Sequence, residues 1–99
     1  MGRIFRSPES KKDYLAIWHY IAHDNRAAAD RIIDAFDEQL LKVVDHPGRG
    51  ASRDDIAPGL QSVRVERYLL FYFPVKGGIK LARVLHGAMN LRREFKKSM

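Results

Sequence analysis

Residues 13–44, DYLAIWHYIAHDNRAAADRIIDAFDEQLLKVV, decide the fold of this chain of 99 residues. Apolar side chains recur at helical spacing on both sides of a break at His23-Asp24-Asn25. The stripe before the break consists of Tyr14, Ile17, Trp18, Ile21 and Ala22, and the stripe after it of Ala29, Ile32, Ile33, Phe36, Leu40, Val43 and Val44. Because such stripes avoid water, the pattern predicts a helical hairpin that packs on an apolar partner.

The ends of both helices are marked in the sequence. Ser7-Pro8-Glu9 combines a capping residue, a proline suited to the first helical position and an acid that favours the positive end of the helix dipole. The first helix is expected to run to about His23. The second is expected to run from Arg26 to His46, because Pro47-Gly48 stops it.

The C-terminal third has the period of strands rather than helices. Val63 and Val65 alternate with charged residues, whereas Tyr68–Val75 (YLLFYFPV) is almost continuously apolar, as is typical of a central strand covered on both faces. Lys76-Gly77-Gly78 predicts a hairpin turn, and Ile79–His86 a third strand after it.

The chain is therefore expected to form a single α+β domain over residues 1–99. A short N-terminal strand at Arg3–Arg6 adds a possible fourth member, which gives a helical hairpin packed on one face of a three- to four-stranded antiparallel sheet. The loop Pro47–Leu60 is long for so small a domain, so it is functional, mobile or pinned by its apolar residues. For the tail, residues 88–99, two interpretations remain open: a short amphipathic helix docked at the sheet edge, or a flexible segment.

The composition restricts the function classes. The chain has no cysteine, which excludes disulfides and thiolate zinc sites, and the sequence predicts neither a metal nor a cofactor. His19 and His23 lie one helical turn apart but lack a third ligand nearby in the sequence. No apolar run reaches the roughly 18 residues of a membrane span, and the N-terminus lacks the apolar core of a signal peptide. A cytoplasmic protein without membrane contact is therefore expected.

The net charge of +6 is distributed unevenly. Residues 1–60 carry a net charge of −1, and residues 61–99 carry +7. The sheet face away from the helices is expected to be cationic and free. In at least one register Arg64 and Lys80 lie on it, with Arg83 and His86 as two further candidates. A slip of one residue would move every side chain of a strand to the other face. Such a field attracts nucleic acid or an acidic protein segment.

A series of short stretches follows in a characteristic order along nearly the whole chain. They are Ile17–Ala22 with Asp24-Asn25 behind it, Ala28–Arg31, His46–Gly50, Pro58–Leu60, Arg67–Tyr72 and Arg83–Ala88. Their order and spacing resemble the ParE branch of the RelE/ParE toxin superfamily. Two positions depart from the pattern: Gln61 replaces an Arg, and Met89-Asn90 replaces Arg-Asp. Each departure removes at least one charged group near the surface that the resemblance assigns to toxicity or antitoxin contact.

The resemblance implies the toxin of a bacterial type II toxin–antitoxin system. ParE-like toxins are taken to poison DNA gyrase without being enzymes. Their partner is a ParD-like antitoxin, whose flexible C-terminal segment of acidic and apolar residues wraps the toxin in a hetero-oligomer. Sequence-specific DNA binding belongs to the antitoxin in this picture and is not expected of the present chain.

Two sets of contact residues follow from the resemblance and the charge. Target binding is assigned to Arg64, Arg67, Arg83, His86, Met89, Asn90, Arg92 and Arg93. Antitoxin binding is assigned to Tyr20, Lys80, Arg83 and Phe95.

Two other hypotheses stay open. The RelE branch cleaves mRNA in the ribosome, and in that hypothesis His86 acts as acid or base while Arg83 and Arg64 hold the phosphate. Alternatively, His86 is only a side chain at the end of a strand that forms a hydrogen bond with a neighbouring carbonyl. In the third hypothesis the chain is a structural or sequestered protein with little toxicity of its own.

Overall fold

The structure, a computed structural model, describes residues 2–97. The elements follow in the order β1 (Arg3–Arg6), α1 (Pro8–Ala22), α2 (Arg26–Asp45), a short 3₁₀ turn (Pro47–Arg49), β2 (Ala51–Ser52), β3 (Gln61–Val65), β4 (Tyr68–Val75), β5 (Gly78–His86) and α3 (Leu91–Lys97). The part of the tail prediction that concerns Ser98 and Met99 lies outside the described residues.

The helical hairpin forms as its sequence predicts. Ser7 Oγ accepts the N–H of Ser10 at 3.0 Å, and proline occupies the first position of α1. Asn25 Oδ1 accepts the N–H of Ala28 at 3.0 Å and so caps α2. The predicted limits of both helices are confirmed to within a residue.

One face of the sheet carries the main core, and α2 supplies much of it. The fully buried side chains of this core include Phe36, Leu40, Val43, Leu70, Tyr72, Ile79 and Leu81. From α1, the half-buried Tyr14, Ile17 and Ile21 pack against them. Trp18 instead ties the two helices together, because its Nε1 donates to Asp30 at 2.9 Å. The predicted packing of the hairpin on the sheet is confirmed.

The sheet has five strands in the order β1-β5-β4-β3-β2, and it is mixed. The prediction of a purely antiparallel sheet of three to four strands is wrong in two respects. Ala51–Ser52 in the long loop adds a short edge strand, and β1 pairs with β5 in parallel. A parallel pair needs a long crossover connection, and the helical hairpin begins that crossover. Gly78 permits the pairing, because a side chain there would collide with the backbone of Arg3.

The opposite face of the sheet is apolar and covered, so the prediction of a free cationic face is wrong. Its core consists of Ala57, Leu60, Phe71, Leu85 and Phe95, with Ile56, Leu69, Phe73, Ala82 and Leu91 packed against it. α3 supplies Leu91 and Phe95, so this helix docks on the face of the sheet rather than at its edge. Apolar residues of the long loop belong to this core and hold the loop against the sheet. This confirms one of the three alternatives that the sequence left open for the loop.

Candidate binding surfaces

The first candidate surface is an open groove of about 760 Å³ at the end of the helical hairpin, here called the hairpin groove. Its lining combines α1, α2, the β3–β4 turn and the end of β5: Ala16, Ile17, Tyr20, Ile21, Ala28, Arg31, Ile32, Glu66, Arg67, Tyr68 and His86. The side chain of Tyr20 is 79% exposed. An apolar floor with charged residues at the rim suits a segment that alternates apolar and charged side chains.

His86 lies in the hairpin groove, on the helix side of the sheet. Its ring meets Tyr68 edge to face, with 5.4 Å between the centroids, and burial raises the pKa of the Tyr68 hydroxyl. His86 Nδ1 accepts the N–H of Ala88 at 3.0 Å. This contact matches the expectation of a hydrogen-bonded side chain at the end of a strand, but the partner is a backbone N–H and not a carbonyl. The expectation that His86 faces away from the helices is wrong.

The β3–β4 turn beside this groove is strained. Glu66 has φ 54°, a left-handed conformation that costs a residue with a side chain of order 1 kcal/mol or more. The carbonyl of Arg67 accepts the N–H of Gly87 at 2.8 Å, which fastens the turn to the chain beyond β5. The strain and the fastening together fix where the Glu66 and Arg67 side chains leave the backbone.

The second candidate surface is a smaller groove of about 330 Å³ between the start of α1 and α3, here called the edge groove. Ser7, Pro8, Glu9, Phe73, Lys80, Ala82, Arg83 and Phe95 line it. The structure therefore brings together Lys80, Arg83 and Phe95, three of the four residues assigned to the antitoxin. Tyr20, the fourth, lies in the hairpin groove.

Arg83 is the most constrained cation of the edge groove. Its Nε and Nη2 donate to the two carboxylate oxygens of Asp13 at 2.7 and 2.9 Å, and its Nη1 donates to the carbonyl of Glu94 at 2.9 Å. Asp13 also accepts the N–H of Val84 at 2.9 Å. The Asp13 carboxylate raises the pKa of the Arg83 guanidinium. Arg83 thus connects α1, β5 and α3, and its side chain is only 13% exposed.

The third candidate surface, here called the basic surface, comprises the exposed side of α3, the turn that precedes it, and two neighbouring cations: Arg64 of β3 and Arg67 of the β3–β4 turn, which also lines the hairpin groove. Its polar residues are Arg64, Arg67, Asn90, Arg92, Arg93 and Lys96. Asn90 Oδ1 accepts the N–H of Arg93 at 3.2 Å. Arg64 is close to the turn, because a Cβ built on Gly87 would lie 3.7 Å from its guanidinium. Most of the predicted target-binding residues therefore surround one corner of the molecule.

Comparison with known proteins identifies the family. Residues 4–91 match the family described as "ParE toxin of type II toxin-antitoxin system, parDE". The chain belongs to the ParE toxin family.

A solved structure, that of the chromosomal ParDE toxin–antitoxin system from P. aeruginosa, has the same fold with a TM-score of 0.72 and 19% sequence identity. The match covers 87% of the present chain and 96% of that one. A comparison with curated proteins gave no match. The protein is thus a ParE toxin of a type II toxin–antitoxin system, which implies an antitoxin partner.

The three residues of the ribonuclease hypothesis do not share a concavity in this ParE toxin. His86 lies in the hairpin groove and Arg83 in the edge groove. Arg64 is exposed on the face opposite the helical hairpin, as predicted, and its Nη1 points to the carbonyl of Glu66 at 3.5 Å. Lys80 also lies on that face, as predicted, since it alternates with the buried Ile79 and Leu81.

Gln61, one of the departures from the ParE pattern, takes part in an internal polar cluster. The Tyr72 hydroxyl lies 2.8 Å from Gln61 Oε1 and 2.8 Å from the carbonyl of Pro47, and it accepts the N–H of Gly50 at 3.0 Å. Burial raises the pKa of Tyr72. The cluster attaches the start of the long loop to β4, so Gln61 supports the loop from inside the ParE fold.

Sequence reasoning missed Asp13. Its spacing offered a signal, because Asp13, Ile17 and Ile21 recur every four residues on one side of α1. An acid on the inward stripe of a helix requires a buried partner, and here that partner is Arg83.

Within residues 2–97, no cluster of three or more His, Asp or Glu side chains has the arrangement of a metal site. None of the helices in the same range combines the length and hydropathy that crossing a bilayer requires.

Proposed function

We propose that this ParE toxin inhibits DNA gyrase by binding it, and that a ParD-like antitoxin neutralises it in a cytoplasmic hetero-oligomer. The observation that carries the proposal is the family match over residues 4–91. The placement of the charged residues is consistent with a binding protein, since cations and aromatic residues line open surfaces rather than an enclosed site.

Binding is favoured over RNA cleavage by the separation of His86 from Arg83. Cleavage at a 2′-hydroxyl requires a general base, a general acid and phosphate-binding cations within hydrogen-bond reach of one scissile group. Arg83 directs its guanidinium at Asp13 and the Glu94 carbonyl, and His86 opens into a different groove. The ribonuclease hypothesis would therefore need a different pair of catalytic groups.

The target surface is proposed to be the corner that contains His86, Met89 and the basic surface. Arg64, Arg67, Asn90, Arg92 and Arg93 are exposed there. Arg83 is proposed to act on the target only through α3, because its guanidinium is engaged inside the protein and holds the carbonyl of Glu94.

The antitoxin is proposed to follow α1 from one groove to the other. The edge groove contains Ser7 at the start of α1, and the hairpin groove contains Ile21 near its end. At a rise of about 1.5 Å per residue the two lie roughly 20 Å apart, which about six extended residues can span. Acidic groups of the segment would meet Lys80 at one end, and apolar groups would pack beside Tyr20 at the other. Such a segment orders as it binds.

The target is tested with the purified protein in two assays. We expect inhibition of gyrase supercoiling and accumulation of cleaved DNA, with no loss of protein synthesis in a coupled translation extract. Cut mRNA in the translation extract, with normal supercoiling by gyrase, would contradict the proposal and restore the ribonuclease hypothesis. Addition of the cognate antitoxin should restore supercoiling and raise the melting temperature of the toxin.

The antitoxin path is tested with Tyr20→Ala and a matched control. Tyr20 and Leu41 are both exposed apolar residues of the helical hairpin, but Leu41 lines neither groove. We expect Tyr20→Ala to weaken antitoxin binding at least tenfold, as the loss of a central aromatic contact does. Leu41→Ala should bind as the wild type does. Equal affinities for the two variants would show that the segment does not use the hairpin groove.

A further inference from the structure

We propose that the basic surface binds the phosphate backbone of duplex DNA, without regard to sequence. This inference deepens the proposed function and rests on it: the target surface would meet gyrase together with the DNA that gyrase holds, and the basic surface is the part of it that contacts the DNA. The proposed contact is with phosphates only. It therefore differs from the base-specific binding that was not expected of this chain.

The cations of the basic surface have few partners inside the protein. Arg92 approaches Asp55 at 3.7 Å, and Asp55 is shared with Arg53 at 3.2 Å. Within residues 2–97, no ion pair joins Arg93 or Lys96 to a carboxylate. These side chains are exposed and retain most of their capacity to donate hydrogen bonds. Arginine also suits phosphate oxygens, because its planar guanidinium can donate two parallel hydrogen bonds.

The helix that carries these cations is held in place. Phe95 is 2% exposed and meets the ring of Phe71 at 5.9 Å between centroids. Arg83 donates to the Glu94 carbonyl at 2.9 Å. A charged segment that is already ordered loses little conformational entropy when it binds, so its affinity is not reduced by the cost of folding.

The spacing of the cations fits a nucleic-acid strand. Arg92 and Lys96 are one helical turn apart, with about 5–6 Å between such neighbours on a helix surface. Phosphates along one strand rise by about 3.4 Å each. Side chains as long as arginine and lysine can therefore reach neighbouring phosphates from this helix, and Arg64 and Arg67 extend the basic surface toward the β3–β4 turn.

DNA fits this surface better than an acidic peptide does. A peptide that orders on binding gains affinity from buried apolar side chains. The shallow concavity on α3 is lined by Asn90, Arg92, Arg93 and Lys96, which offer no apolar pocket. The apolar linings lie in the two grooves beside α1, and those are assigned to the antitoxin.

The test compares two variants that lose the same charge. Arg92→Gln with Arg93→Gln removes two cations from the basic surface. Lys11→Gln with Lys12→Gln removes two exposed cations from α1, outside all three surfaces. Glutamine preserves helix propensity, and Leu91 and Phe95 stay intact in both variants. Thermal melting of each variant shows whether the fold is retained.

Binding is measured with a fluorescein-labelled DNA duplex of mixed sequence by anisotropy over a range of salt concentrations. If all five cations contact phosphates, the slope of log affinity against log salt is about −4.5 for the wild type and about −2.7 for the Arg92/Arg93 variant. At moderate salt, the affinity of the Arg92/Arg93 variant for DNA should be at least roughly tenfold lower than that of the wild type. The Lys11/Lys12 variant should retain the wild-type slope. Equal losses of DNA affinity in both variants would show that binding depends only on the net charge of the protein, and would overturn the proposal.

Two further outcomes separate this inference from the proposed function. A poly-glutamate peptide that binds more tightly than DNA, and depends on Arg92 and Arg93, would overturn the DNA assignment in favour of a protein partner. Duplex binding with the predicted slopes, but without any effect on gyrase, would support the DNA contact and refute the gyrase target. If the wild type inhibits gyrase and the Arg92/Arg93 variant inhibits it less, but no DNA binding is seen, the gyrase target stands and the DNA contact is refuted.

Discussion

The two faces of the sheet are both apolar, but they are covered by very different amounts of structure. The helical hairpin covers one face with two helices, Pro8–Ala22 and Arg26–Asp45. The other face is covered by Leu91–Lys97 and by part of the long loop. A cover with many buried contacts opens only when the whole domain unfolds, whereas a short terminal helix can detach locally. The hairpin face thus supports the fold, and the α3 face carries a cover of lower local stability.

The largest expected effect comes from the hairpin face. Phe36 is fully buried and lies 5.5 Å, centroid to centroid, from both Tyr14 and Tyr68. Phe36→Ala should lower the free energy of unfolding by about 3–5 kcal/mol, which is a large share of the stability of a small domain. Urea denaturation measures the loss, with the exposed Phe5→Ala as the control. A loss below about 1 kcal/mol would show that this face does not support the fold.

The second largest loss of stability is expected from the ion pair of Asp13 with Arg83, which links the two faces of the sheet. Asp13→Asn removes the carboxylate that pairs with Arg83, at a site where both side chains are nearly buried. The unpaired guanidinium should reduce the stability by about 2–3 kcal/mol. Asp37→Asn is the matched control, because the pair of Asp37 with Arg6 is more exposed and its loss should cost about 1 kcal/mol or less. Similar losses in both variants would mean that the Asp13–Arg83 pair has no special role.

The α3 face should be less sensitive to truncation. Phe95→Ala should cost about 1–2 kcal/mol, although the side chain is buried, because undocking of α3 limits the loss. Hydrogen exchange should rise in residues 91–97 and remain unchanged in α2. A loss as large as that of Phe36→Ala, with faster exchange throughout the chain, would show that both faces unfold together.

The effect that is smallest at neutral pH belongs to the hairpin face, and it depends on pH. Burial raises the pKa of Tyr14 from 10.0 to about 12, so the unfolded chain loses this proton before the folded protein does. The contribution of Tyr14 is therefore complete below pH 10 and is lost as the pH rises toward 12. Tyr14→Phe should be slightly less stable at neutral pH, since the hydroxyl donates to Asp37 at 3.0 Å. Its stability should fall less steeply above pH 10 in denaturation curves, and an unchanged slope would exclude Tyr14 as the cause.

Local signals in the sequence sufficed for the helices and for part of the sheet. Ser7, Asn25 and Pro47 mark helix ends by their own chemistry, and the structure agrees with them. The continuous apolar run Tyr68–Val75 correctly predicts a strand covered on both faces. That same run contradicts the expectation of a free cationic face, because Phe71 and Phe73 need a cover as much as Leu70 and Tyr72 do.

Long-range features could not be derived from the sequence. The direction of Arg3–Arg6 depends on which strand it meets, and its partner lies at the far end of the chain. Leu91 and Phe95 predict an amphipathic helix, but nothing local says which surface the helix covers. The side of the sheet that His86 occupies depends on the irregularity of the β4–β5 pairing at Phe71/Tyr72. The contact sets for target and antitoxin therefore stay predictions, now located on defined surfaces.

The parallel pairing of β1 with β5 has a consequence for synthesis. Arg3 lies opposite Gly78, so β1 cannot form its pairing until the ribosome has also made β5. At roughly 5–20 residues per second, that wait lasts about 4–15 s. Pairings between distant parts of a chain also slow folding. A nascent toxin therefore cannot complete its sheet before β5 has been made, and during those seconds an antitoxin can meet a chain that is not yet fully folded.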